Sequence, residues 1–427
     1  MRILLVDFNP FMPPATPISL GYLGAVLKVN GHDVKVLSLG STSVFSPGIF
    51  RGWVREYSPD LVAMAIYQRN IFHINSLASL AKAACPEVKV VVGGPQATFI
   101  PEKGLESLGA VDFVCRGEGE RVIVEIVEAM QSGEMEYPIA GTTSRMPDGG
   151  YITGMPVKEV ENLDDYPSPW FEGILDPANM EEAIMLTSRG CPYGCSFCYT
   201  PAAFGRRVRA NSVERVLEEI SFVAGRGSGR MWFADPNFSF SEKRVAEILE
   251  GIVGRSLKVD MWIETRADML DRGLIELMKG AGVSMVAMGL ESASENVYPS
   301  LKKNLNPERI RHAVEMVFNA GMDVELFSQY ALPNERFEDA LKTLEFVKSS
   351  GVRIQGNSNA QQMQIYFGSE IAERPDQYGV IPLRESFDPC LAIGTEFETS
   401  WMSREEINRI KALWKSESLD GGKRVVS

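Results

Sequence analysis

The chain has 427 residues, 45% of them hydrophobic and 23% charged, enough for two or three domains with a sizeable core and too much for a disordered tail or a miniature scaffold. Its 43 Lys plus Arg against 56 Asp plus Glu give a net charge of -13, which excludes a general attraction to nucleic-acid phosphates or anionic membrane and suits a neutral or cationic small substrate. Six cysteines, three of them within eight residues, do not make a secreted disulfide framework; the clustering points to metal ligation in a reducing compartment.

The amino terminus, MRILLVDFNP, passes directly into a strand-like run without a basic leader or cleavage site. No segment approaches the roughly 20 apolar residues that cross a bilayer, so a cytoplasmic protein with no membrane partner is expected. Residues 2 to 130 then alternate short β-branched runs with helical patterns. The spacing predicts strands at Ile3 to Val6, Val34 to Leu37, Leu61 to Ile66, Val88 to Val92 and Phe113 to Val114, and helices near Ile18 to Asn30, up to Ala84, and Glu120 to Met130. Such alternation predicts an α/β, doubly wound (Rossmann-like) parallel sheet. The turns Gly93-Gly94-Pro95 and Gly117-Glu118-Gly119 follow the fourth and fifth strands, where open parallel sheets bind ligands and glycine lets a ligand approach the backbone; the same glycines also serve tight turns.

From Tyr137 to Pro177 the pattern gives way to a polar, Gly/Pro-rich linker with a hairpin expected around Gly149-Gly150. Alternation resumes with strands predicted at Ile184 to Leu186, Met231 to Phe233, Val259 to Ile263, Met285 to Met288, Val324 to Phe327 and from Ile354 onward. Six units suffice for a partial (β/α)6 barrel, its helices starting at caps such as Ser212 and Ser241. The final stretch, with Cys390, Trp401 and a helix near Arg404 to Trp414, reads as a small carboxyl-terminal cap. The expected division is therefore 1–136, a linker at 137–180, a barrel at 181–370 and a cap at 371–427.

The most informative segment is Gly190-Cys191-Pro192-Tyr193-Gly194-Cys195-Ser196-Phe197-Cys198, directly after the first strand of the predicted barrel. Three thiolates with three and then two intervening residues can ligate three corners of a cubane iron cluster and leave the fourth iron open. Structural zinc, the competing reading, wants a fourth ligand, and the three histidines, His32, His73 and His312, are all remote in sequence. Buried packing cysteines, the other alternative, do not favour a Gly/Pro-rich loop.

This segment resembles the CxxxCxxC signature of the radical S-adenosylmethionine (SAM) enzymes, with an aromatic before the last cysteine. The resemblance implies that Cys191, Cys195 and Cys198 hold a 4Fe-4S cluster whose open iron takes SAM, that Phe197 lies against adenine, and that reductive cleavage yields a 5'-deoxyadenosyl radical. It continues through Asp235 in FADPNF, Glu264 and Arg266 in ETRAD, and Glu291 and Ser292 in GLES, which it assigns to SAM. By chemistry alone, carboxylates suit ribose hydroxyls or an ammonium and an arginine suits a carboxylate, while an ordinary salt bridge at a strand end remains the alternative for each.

Residues 1 to 180 resemble the cobalamin-binding domain that precedes the barrel in one large radical SAM subfamily, through Pro13-Pro14, LGYLGAVLKVNGHDV, SPDLVAMAI, VVVGGPQAT, VCRGEGE and ENLDDYPSPW. The resemblance implies cobalamin between the front sheet and the barrel, near Tyr67, Gln68 and Arg69, Gly93, Gly94 and Pro95, and Gly117, Glu118 and Gly119. The DxHxxG motif is absent, Asp7 being followed by Phe8, Asn9 and Pro10, so no histidine below cobalt is expected. His32 and His73, with Cys85, Cys115 and Cys390, are read as structural. The implied function is C-methylation of an unactivated carbon of a small molecule, with a reducing partner such as flavodoxin or ferredoxin. A cobalamin-independent radical dehydration, deoxygenation or rearrangement of a polyol or aminosugar is the alternative, and an iron-sulfur redox or sensing module the non-enzymatic one. At the barrel mouth, Tyr199, Asp235 and Tyr330 are the candidates for catalytic contact with substrate, against a packing or capping role for each.

Overall fold

A computed structural model describes residues 1–8, 17–39, 46–67, 70–133, 136–354, 360–383 and 397–420. The chain divides into two compact units: Met1–Ile184 with Arg209–Ser212, and Met185–Val208 with Val213–Ser427. The hairpin segment therefore counts with the first unit and the carboxyl-terminal segment with the second.

The first unit is built on strands β1 (Arg2–Phe8), β2 (Asp33–Leu39), β3 (Leu61–Ala65), β4 (Lys89–Gly93) and β5 (Phe113–Cys115), followed by β6 (Thr142–Arg145) and β7 (Tyr151–Thr153). They form one sheet in the order β2-β1-β3-β4-β5-β6-β7, parallel except for the antiparallel β6 and β7. Ile3, Leu4, Leu5 and Val6 are all buried, as expected of a strand covered on both faces. The predicted hairpin is present: Met146 N–H donates to Gly150 O, Gly149 takes φ +89°, and β6 and β7 pair. What the sequence presents as linker thus extends the sheet. Helix Ile18–Val29 carries Gly21 and Gly24, where an added Cβ would come within 2.7 Å of Leu175 and 2.8 Å of Ile174, so the segment after Pro169 packs directly on its backbone.

β8 (Ala183–Met185), which crosses the boundary between the units, β9 (Ser188–Arg189) of the second unit and β10 (Arg209–Ala210) of the first precede β11 (Arg230–Phe233), β12 (Asp260–Thr265), β13 (Val283–Glu291), β14 (Asp323–Tyr330) and β15 (Ala360–Gln362), all of the second unit. The six-stranded parallel sheet runs β15-β14-β13-β12-β11-β8, the partial (β/α)6 barrel expected. Burial alternates along β12: Met261 and Ile263 are buried under the helices, whereas Trp262 and Glu264 are half-buried on the concave face. The helices follow their local signals; Ser241 caps Glu242–Gly254 by accepting from Arg244 N–H. The carboxyl-terminal segment adds an antiparallel pair, β16 (Val380–Pro382) with β17 (Phe397–Thr399), and helix Arg404–Asp420. Among the described residues no helix is long and apolar enough to cross a membrane.

Candidate active site

The cysteine loop is shaped by its glycines. Gly190 has φ +91°, and a Cβ there would sit 2.5 Å from Arg207 O; one on Gly194 would meet the Arg206 guanidinium at 2.5 Å. Ser196, fully buried, fixes the loop's far end: its N–H donates to Leu301 O and its hydroxyl to Ser300 O at 2.7 Å. Cys191, Cys195 and Cys198 are free and half-buried. Burial pushes the Cys191 thiol up and that of Cys195 up to about 11, while Lys303 and Arg266 pull in the opposite direction. Loading metal must therefore displace protons, and the two cations favour the thiolates once formed.

Around the loop lies a polar network with few open valences. Glu291 sits at φ +61°, where β13 shifts register against β14, and such strain persists only where the surroundings fix it. Its Oε1 accepts from Lys303 Nζ at 2.8 Å and its Oε2 from Gln329 Nε2 at 2.7 Å. Lys303 also donates to Gly289 O at 2.7 Å. Arg266 makes a bidentate pair with Asp268 at 2.9 Å, donates to Lys303 O at 3.1 Å, and stacks over the Tyr193 ring at 3.7 Å. The structure thus gathers the three cysteines with Arg266 and Glu291 and adds Lys303, Tyr193, Asp268 and Gln329. Tyr193 lies inside the cysteine signature and Asp268 closes the ETRAD segment; Lys303 and Gln329 carry no motif, and only a long-range pairing of opposite charges would have suggested Lys303.

Other expected residues are placed differently. Asp235 is fully buried and accepts from Thr187 N–H at 2.7 Å, Ser188 N–H at 2.9 Å and the Thr187 hydroxyl at 2.5 Å. These bonds tie Asp235 to the strand end leading into the cysteine loop. Ser292, also fully buried, bonds to Thr343 Oγ1 at 3.2 Å and to Glu335 at 3.4 Å, so it too holds the fold. Tyr330 ends β14 and is 3% exposed, and burial pushes its hydroxyl up to about 12. Tyr199 is half-buried at the start of helix Thr200–Phe204, its ring 5.4 Å from that of Tyr366. Phe197 is half-buried within the loop. Glu264 is turned away from the loop network: it accepts from Trp232 Nε1 at 3.0 Å, and its charged neighbours are Glu325 and Asp235.

In the first unit the order β2-β1-β3-β4-β5 reverses direction between β1 and β3, and ligands of such sheets bind at that switch, beyond the strands' carboxyl ends. Asp7, next to last in β1, lies beside the Ser38 hydroxyl, and burial pushes its carboxyl up to about 6. Tyr67, just past β3, is 42% exposed, and its hydroxyl lies 3.3 Å from Ser19 Oγ. Asn70, which no motif marks, fixes this loop by accepting from Tyr67 N–H and donating to Phe8 O and Ala65 O. Gly94, at φ +97°, brings its backbone so near Ile66 that a Cβ would lie 3.0 Å from Ile66 O, and Pro95 opens the next short helix. Gly93 extends β4, and Gly117 at φ +88° leaves open space where a Cβ would go. Gly119 starts helix Gly119–Gln131 against Leu23. Glu118 is committed elsewhere, its carboxylate clasped by the Arg209 guanidinium, with Nη1 to Oε2 at 3.1 Å. Gln68, Arg69, Asn9, Pro10, Pro13, Pro14 and Cys390 lie outside the described residues.

The Radical SAM superfamily matches residues 185–347, and the B12 binding domain matches residues 10–127. The chain carries a radical SAM domain preceded by a B12-binding domain. An uncharacterized methyltransferase of Pyrococcus horikoshii is 29% identical to this radical SAM protein over 341 residues, covering 78% of this chain and 73% of that one. An anaerobic magnesium-protoporphyrin IX monomethyl ester cyclase of Rubrivivax gelatinosus is 28% identical over 367 residues, covering 82% of this chain and 66% of that one. The solved structure of a radical SAM methyltransferase from Kitasatospora setae, with tryptophan substrate and a SAM analogue bound, superposes with a TM-score of 0.76 at 18% identity over 99% of this chain and 89% of that one, a likeness of fold.

The cofactors of this radical SAM protein are a 4Fe-4S cluster, SAM and cobalamin. The residues present fit them. Three thiols on one loop, flanked by two cations and a strained carboxylate, form a donor set for a cluster with one open iron. Among the described residues no His, Cys, Asp and Glu side chains are gathered to hold a single metal ion. Beyond the carboxyl ends of β3, β4 and β5, the glycine turns and the exposed Tyr67 suit a broad, flat ligand.

Proposed function

We propose that this protein is a cobalamin-dependent methyltransferase that alkylates a carbon of a small molecule. The observation that carries the reading is that Cys191 and Cys195 lie within electrostatic reach of Arg266 and Lys303, with Cys198 beside both, in a chain whose first unit also carries glycine turns at the carboxyl ends of β4 and β5 of a parallel sheet. When bound, the cluster supplies the electron that cleaves SAM, and cobalamin supplies a methyl carrier. The chain's own residues do the rest. Cys191, Cys195 and Cys198 hold the iron; Glu291, fixed by Lys303 and Gln329, orients the cationic or hydroxylated part of SAM, and Arg266, fixed by Asp268, its carboxylate end. Phe197 and Tyr193 supply flat surfaces for adenine and keep water from the reacting atoms. Tyr67 and the turns at Gly93-Gly94-Pro95 and Gly117 receive the corrin. A flavodoxin or ferredoxin is the natural reductant.

Methylation is supported by the Pyrococcus relative and by the Kitasatospora fold, both methyltransferases, while the Rubrivivax cyclase marks the ring-forming chemistry that related chains perform. The test is anaerobic reconstitution with iron, sulfide and cobalamin, followed by dithionite and methyl-labelled SAM. A retained corrin absorbance, release of 5'-deoxyadenosine and label in a carbon-bound product are the expected results. Cleavage of SAM by a preparation that never retains corrin would remove the methylation reading and leave a cobalamin-independent radical enzyme.

A further inference from the structure

The concave face of the second unit's sheet carries a second group of side chains that the loop network does not use. Trp232 and Trp262, paired in register on β11 and β12, stack with centroids 5.0 Å apart and planes at 19°. Two residues further along β12, Glu264 is in register with Ala287 on β13, and Ala287 with Glu325 on β14. Two carboxylates therefore flank a single alanine across three neighbouring strands. Trp232 Nε1 ties the layers together by donating to Glu264 at 3.0 Å. Among the described residues Trp262 Nε1 is buried with no hydrogen-bond partner, a donor open to an acceptor on a ligand.

Two acids in a half-closed lumen disfavour each other's ionised form, and a flat apolar wall beside them gains by covering. We propose that the stacked Trp232–Trp262 pair together with Glu264 and Glu325 is the substrate-recognition surface, and that the substrate is an organic ammonium with a planar or apolar face and an acceptor oxygen within reach of Trp262. This rests on the reading of the barrel as the site where a small molecule is alkylated, and it names the class of that molecule. An ammonium between the carboxylates takes the place of a shared proton, the indole faces hold the apolar part, and Trp262 Nε1 gains its missing partner. Consistent with this arrangement, burial, with the charges of Glu325 and Asp235, pushes Glu264 up to about 7.

The test uses the full-length, cluster-loaded protein and three probes that differ only around one ring: 2-phenylethylamine, neutral phenylacetamide and phenylacetate. Titration followed by calorimetry and ligand-observed NMR is expected to rank the amine at least about tenfold tighter than phenylacetate, with phenylacetamide between them. Glu264→Gln and Glu325→Gln should each erase most of that preference, and Trp262→Leu should weaken all three probes. Iron and sulfide content and thermal unfolding show whether each variant is folded; Glu325→Gln keeps the test decisive if Glu264→Gln fails. Equal affinity for amine and acetate, no binding of any probe, or an undiminished preference in both folded glutamine variants would overturn the assignment. Reductive SAM cleavage is measured on the same unsubstituted sample. Its absence counts against the enzymatic reading, whereas intact cleavage without amine selectivity counts against the lumen assignment alone.

Discussion

Two polar groups lie along the same sheet of the second unit, and they differ in how their hydrogen bonds are spent. Beside the cysteine loop, Glu291, Lys303, Arg266 and Asp268, with Gln329 and the Gly289 carbonyl, satisfy one another at 2.7 to 3.1 Å, leaving a rigid frame before any ligand arrives. Lower in the lumen, burial and the charges of Glu325 and Asp235 disfavour the ionised form of Glu264, and among the described residues Trp262 keeps a buried donor without a partner. A saturated network holds a constant partner in one geometry at little reorganisation cost. An incompletely satisfied one gains its missing bonds from a ligand and so discriminates among ligands. The first pattern suits cofactors and the second a substrate.

Breaking the saturated group should have the largest effect. Replacing Cys191, Cys195 or Cys198 by alanine is expected to bring bound iron and 5'-deoxyadenosine formation to background, measured by iron analysis and product chromatography. Next is Lys303→Met, which strands the 5%-exposed Glu291 without its cation. Removing one partner of a buried pair costs about 3–5 kcal/mol, so denaturant titration should show a loss of this order. The double variant with Glu291→Gln should recover part of it, since no uncompensated charge is then buried.

A third prediction concerns the frame behind Glu291. Glu335 is fully buried among Leu332, Ser292 and Asp339, and burial pushes its carboxyl from 4.5 up to about 8. Between those values the folded protein keeps a proton that the unfolded chain has released, so its contribution to stability declines as pH rises from 4.5 through 8. Glu335→Gln should flatten that decline, a change on the order of a few kcal/mol in denaturant midpoints compared at pH 5 and pH 8.5. The smallest effect is expected in the first unit. Gly94 occupies φ +97°, ψ 176°, a region essentially reserved for glycine, and Gly94→Ala should cost about 1–3 kcal/mol and reduce corrin retention, read by absorbance after desalting.

The strands were legible because covered parallel strands are continuous β-branched runs: the Ile3 to Val6 prediction lies inside Arg2–Phe8, and Met285 to Met288 inside Val283–Glu291. The cysteine loop was legible because its chemistry is local. Legibility ended where a role depends on pairing across the fold. Arg209 meets Glu118 from 91 residues away and Lys303 supports Glu291 through a turn with no signature. Along β14 the period of two puts Tyr330 on the same buried side as Val324 and Leu326. Asp235 sits at a strand end as expected, but neither its burial nor the backbone donors of Thr187 and Ser188 are visible in FADPNF.

The most direct test of the separation between frame and lumen is the affinity of the cluster-loaded protein for SAM in Glu291→Gln and in Glu264→Gln, measured by anaerobic calorimetry. Binding should weaken at least about tenfold in Glu291→Gln and stay within about threefold of the unsubstituted protein in Glu264→Gln. A loss of SAM affinity on changing Glu264, with none on changing Glu291, would contradict the assignment of cofactor to the saturated group and substrate to the unsaturated one.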